Sequence, residues 1–145
     1  MFNKILLITV LAALVLSGCG GGPDSPPLIH LVSNTDLAAG FQSSYCWDGG
    51  RGAAMCVDMI EPYFESSIPL DANTPIRLQL EKPLPNEVTL EISKEVFGDT
   101  IVSEQVSVSE QVEWSPVVAP GEYILAARAS WDQGDVTYWF SISLE

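Results

Sequence analysis

Histidine is almost missing from this chain, basic residues are few, and no helical period appears beyond the amino-terminal apolar run. The single histidine, His30, leaves no partner for a Ser-His-Asp arrangement, which needs a nucleophile with a positioned base. No Cys, His or Asp stands near it at metal-ligand spacing, so His30 reads as an ordinary strand residue. Six Lys and Arg stand against nineteen Asp and Glu, a formal net charge of −13. A surface of that sign excludes nucleic acid as a partner and excludes a basic patch lying on anionic lipid. The three cysteines form no C-x-x-C. The glycine runs at 20–22 and 49–52 neither follow a strand nor open a helix, so neither is a phosphate loop. Asp48, Asp58, Glu61 and Asp99 offer oxygen ligands without the D-x-D-x-D-G spacing of a calcium loop. No metal and no cofactor is expected.

What is present begins at the amino terminus. Lys4 supplies a positive start and Ile5 to Val15 an apolar run, shorter than the ~20 residues a membrane span requires. The run ends in Leu16-Ser17-Gly18-Cys19, which resembles the lipobox of bacterial lipoproteins. The resemblance implies a signal peptide over residues 1–18 and a mature chain that starts at Cys19, diacylated through its sulfur. Two acyl chains meet the requirement for stable attachment, which one chain does not. Residues 19–27, rich in Gly and Pro, read as a flexible linker with a reach of about 15 Å. The expected location is the bacterial cell envelope, outside the cytoplasm, with the membrane itself as one partner through the lipid.

With Cys19 taken by lipid, Cys46 and Cys56 remain as an even pair outside the cytoplasm, which favours a disulfide. A zinc site is the rival, weakened by the lack of C-x-x-C and by the lone histidine. Residues 28–145 then form one domain, long enough for a core of its own.

Period-two alternation is the dominant pattern of that domain. Tyr123, Leu125, Ala127, Ala129 and Trp131 fall on one face; after Asp132-Gln133-Gly134-Asp135, Val136, Tyr138, Phe140, Ile142 and Leu144 repeat the pattern. This reads as a terminal β-hairpin with one strongly apolar face, which an opposing sheet must cover. Ile76/Leu78/Leu80 and Val88/Leu90/Ile92 alternate in the same way, with weaker strands at Ile101–Val108 and Gln111–Trp114 and a first strand at Leu28–Val32. Residues 60–67, interrupted by Pro62, fit either a single helical turn or an irregular crossing. The fold expected is all-β, an antiparallel immunoglobulin-like β-sandwich of about seven strands.

Gly121-Glu122-Tyr123 at the start of the penultimate strand resembles the tyrosine corner of immunoglobulin-like and fibronectin-like sandwiches, where the hydroxyl bonds back to the backbone. In antibody domains a core cysteine follows two residues later; here that place is Leu125. The arrangement as a whole resembles uncharacterised bacterial lipoproteins and secreted proteins. In these, a Ser-Tyr-Cys-Trp…Cys-Val-Asp segment (here Ser44–Trp47 and Cys56–Asp58) precedes a sandwich ending in G-x-Y-x-L…W-x-x-G-D-V-x-Y-x-F-x-I (here Gly121 through Ile142). It implies a fold and carries over no catalytic residue.

The segment between the two cysteines is the candidate binding loop: Tyr45, Trp47, Asp48, Arg51 and Met55 include residue types enriched at interface hot spots. A cross-linked loop loses less entropy on binding. The alternative is that Tyr45 and Trp47 pack the disulfide against the sandwich. Trp139, facing away from Tyr138 and Phe140, is either second-layer packing or an exposed aromatic platform. The functional expectation is a lipid-anchored, non-catalytic binding or structural module with a protein or glycan partner at the envelope. The alternative is an inhibitor of an extracellular hydrolase acting through the Cys46–Cys56 loop. A carboxylate-based hydrolase ranks last, because nineteen acidic residues make some carboxylate pair inevitable.

Overall fold

A computed structural model describes residues 22–34, 36–50, 52–58 and 60–145. The signal peptide expected over residues 1–18 and the expected lipidation site Cys19 lie outside the described residues. Twelve strands and no helix are found among them: β1 (Ile29–Ser33), β2 (Asp36–Ala39), β3 (Phe41–Gln42), β4 (Tyr45–Trp47), β5 (Met55–Val57), β6 (Ile68–Leu70), β7 (Ile76–Leu80), β8 (Glu87–Ser93), β9 (Thr100–Val106), β10 (Gln111–Trp114), β11 (Gly121–Trp131) and β12 (Gly134–Leu144). One sheet has the order β10-β7-β1-β2, and the other β3-β12-β11-β8-β9 with β6 also paired to β12. Every pairing is antiparallel except β6 with β12. The molecule is an antiparallel β-sandwich.

The core is built where period-two alternation places it. Ile29 and Leu31 of β1, Ile76, Leu78 and Leu80 of β7, and Val112 and Trp114 of β10 are buried from one sheet. They meet Val88, Leu90 and Ile92 of β8 and the apolar faces of β11 and β12, in which Leu125, Ala127, Tyr138, Phe140 and Ile142 are at most 1% exposed. Tyr123 Oη donates to the Ala119 carbonyl at 2.7 Å, the bond that a tyrosine corner makes.

About seven strands are expected from the sequence and twelve are present; β1 and β7 through β12 are those the alternation pointed to. The other five, β2 to β6, come from residues 36–70, where strands of two to four residues are too short to show a period. Their place in the topology is specific. β1 lies beside β7 in one sheet while β6 joins the last strand of the other. The first strand position of the sandwich is thus split between the sheets, and residues 34–67 are inserted in the split. A second difference from the constant-type immunoglobulin order concerns the fourth strand position, β9, which pairs with β8 rather than with the fifth. Residues 60–67 adopt no regular structure, so the helical turn considered there does not form.

The linker expected over residues 19–27 also needs correction. Pro26 and Pro27 are buried, Tyr138 Oη donates to the Pro27 carbonyl, and Trp47 Nε1 donates to the Pro23 carbonyl at 2.9 Å. Proline has no N–H to leave unsatisfied, so its burial is inexpensive. Composition marked these residues as a spacer; packing makes them part of the domain from Pro23 onward.

Candidate functional site

Cys46 and Cys56 face each other across the β4–β5 pair and are joined by a disulfide with Sγ–Sγ 2.04 Å. Three contacts fix this hairpin to the sandwich. Trp47, fully buried at 0% exposure, meets Trp131 edge-on with ring centroids 5.4 Å apart. The Asp48 N–H donates to the Gln133 carbonyl at 2.9 Å. Gly134 lies so close to β4 that a Cβ there would sit 2.1 Å from the Cys46 carbonyl oxygen, and its φ of +154° also disfavours a side chain.

These contacts sort the candidate loop residues. Trp47 is a core residue and not a contact residue, because its indole is the wedge that seats the hairpin. Tyr45 is half-buried and packs against the same core. Asp48 is exposed and accepts the Gly50 N–H at 2.8 Å, shaping the reversal. Met55 is 45% exposed, and Gly52, Ala53 and Ala54 beside it are exposed as well. Arg51 lies outside the described residues. The described tip residues, Gly52 to Met55, are exposed beyond a base that the core holds.

The hairpin also has an address. Asp24 backbone lies within 3.4 Å of where a Gly49 Cβ would be, and Gly22 touches Gln133 in the same way. The described chain therefore starts at the end of the sandwich that carries the hairpin.

Among the described residues, no group of three or more His, Cys, Asp or Glu is placed to hold a metal ion. His30 Nε2 lies 3.0 Å from Glu81 Oε1. That hydrogen bond, with a second from the Leu28 N–H, holds the Glu81 carboxyl below its ordinary value. Glu122 is lowered by hydrogen bonds from Ser67 and Ser143. Both tie strand ends together. Burial pushes the Tyr138 phenol up, which keeps it a neutral donor to Pro27.

A second region was only half visible in the sequence. Trp139 on the outward face of β12 is 4% exposed, which resolves the choice for it in favour of second-layer packing. Its cover is Phe97, at 5.2 Å between centroids and 74° between planes. Phe97 is itself 53% exposed and has φ 59°. It occupies the third position of a turn closed by the Gly98 N–H on the Glu95 carbonyl at 3.1 Å, a position that favours glycine; the left-handed conformation costs about 1–2 kcal/mol for other residues. Trp139 Nε1 is buried and bonded to nothing. No sequence signal announced Phe97, because its cover of Trp139 depends on the β8–β9 turn folding back over the sheet.

No family model, no curated protein and no solved structure matches the chain.

Proposed function

We propose that this protein is a lipid-anchored, non-catalytic binding module of the bacterial envelope, tethered at Cys19, whose contact element is the tip of the β4–β5 hairpin. The observation carrying this reading is the contrast within the hairpin. Its base is held by Trp47, the Gln133 carbonyl and a disulfide, yet residues 52–55 beyond it are exposed. Folding does not require so exposed a tip, whereas recognition gains from a protrusion that is rigid before it binds.

The tether supports a more definite reading. The described chain begins at Gly22, beside Gln133 and the hairpin, so a lipid at Cys19 sets this end of the sandwich toward the membrane. The partner is then a protein at the membrane surface rather than a soluble one met at the far end. The acidic surface does not favour anionic headgroups themselves.

The test replaces Ala54 and Met55 together by glutamate and leaves both cysteines intact. The expected result is loss of co-purification of membrane partners, with the near-ultraviolet dichroism of the buried tryptophans unchanged. Retained co-purification would remove the hairpin tip from the reading. A partner that proves to be a hydrolase, and loses activity on capture, would make the module an inhibitor.

A further inference from the structure

The outward face of the larger sheet carries a groove that the hairpin reading leaves unused. The register sets Trp139 beside Ala126 and Ala126 beside Glu91; one row over, Thr137 is beside Arg128 and Arg128 beside Thr89. Alanine between larger neighbours leaves a dip of about 200 Å³, lined by Trp139, Phe97, Glu91 and Arg128 among others. Arg128 also lines the adjoining hollow of about 400 Å³, which runs on past Ser130 to Glu87 and Asp135. Arg128 Nε bonds Glu91 Oε2 at 2.8 Å between the two.

At the dip stands the one buried side-chain polar atom, among the described residues, that has no partner: Trp139 Nε1. The other three indoles are satisfied, Trp47 by Pro23, Trp114 by Glu104 and Trp131 by Pro83. A buried donor left alone is rare and calls for an acceptor. The ring covering it, Phe97, is 53% exposed, so rotation about its own side-chain bonds is enough to uncover the indole edge.

We infer that this groove is an oligosaccharide-binding site, with Phe97 as a displaceable cover and Trp139 as both stacking platform and hydrogen-bond donor. The chemistry of the lining selects the ligand. Three carboxylates, Glu87, Glu91 and Asp135, against one guanidinium repel an anionic polymer. An apolar ligand would bury the charges of Glu91 and Arg128 and leave the indole N–H unpaired. A peptide strand adds to a sheet edge, whereas the backbone here is already paired on both sides. A neutral sugar chain offers acceptors to Trp139 and Arg128, donors to the carboxylates, and flat C–H faces to the rings. The two hollows in line fit several sugar rings rather than one.

The experiment is a titration of the full-length protein in detergent, with indole nitrogens labelled, against cellopentaose, chitopentaose and maltopentaose in turn. One of the four indole N–H resonances, that of Trp139, is expected to shift saturably while the three internally bonded ones stay in place. Phe97→Gly removes the cover and suits the turn; it should tighten binding roughly fivefold by raising the open fraction. Trp139→Phe keeps a ring but loses the donor and should weaken binding about tenfold. If Phe97→Gly does not fold, Phe97→Ala takes its place and the wild-type titration stands alone. No indole shift up to about 10 mM of any pentasaccharide, or shifts spread over all four indoles, would overturn the site. Neither outcome bears on the hairpin, which lies on a different surface.

Discussion

Gly134 shows how much of this fold turns on single atoms. It sits at the start of β12, where the β4 backbone crosses within 2.1 Å of any Cβ placed there. Gly134→Ala should therefore push the hairpin base outward and lower the unfolding free energy by about 1–3 kcal/mol, the usual range for overpacking. Urea denaturation followed by tryptophan fluorescence measures it. Trp47→Ala empties the seat beside Trp131 and should cost about 3–5 kcal/mol. Glu81 gives a pH signature. Its folded pKa is depressed by His30 and the Leu28 N–H, so its contribution is complete above the ordinary carboxylate pKa and fades as pH falls through the lowered folded value. Glu81→Gln should flatten that part of the denaturation midpoint against pH. At this scale the core was legible, because Leu125 or Phe140 declares its side of a strand by alternation alone. The burial of Trp47 and the need for Gly134 were not legible, since each depends on two segments nearly ninety residues apart.

Among the elements, β7, β8 and the β11–β12 hairpin could be read directly from their alternation between turn residues, and β9 and β10 only as weaker strands. The segment 34–67 could not. Two of the short strands, β3 and β6, borrow their partner from distant β12, and a two-residue strand carries no period. Residues 23–27 were misread for a related reason, because Gly and Pro mark a spacer in composition and a docked strap in this fold. The β4–β5 hairpin combines a pairing that cysteine arithmetic anticipates with an anchorage that it does not. Replacing both Cys46 and Cys56 by serine should lower stability on the order of 3 kcal/mol by the chain-entropy account. The far-ultraviolet dichroism of the sandwich should remain, since Trp47 still holds the base. Loss of the whole sheet signal would show that the disulfide, rather than the tryptophan, seats the hairpin.

For the molecule as a whole, two sheets lock through one core, and the insertion in the first strand position brings the strap, the hairpin and the turn between β11 and β12 to one end. That end is the one from which the chain leads back toward Cys19. The acidic body, the tether proposed at Cys19 and a hairpin whose base is seated in the core form one consistent arrangement for the module proposed above. The most direct measurement places a photoreactive amino acid at Ala53 in living cells, with Gln79 on the outward face of the other sheet as the reference position. The account predicts a discrete cross-linked product at the membrane from position 53 and none from position 79. Identical patterns from the two positions, or a product from position 79 alone, would contradict it.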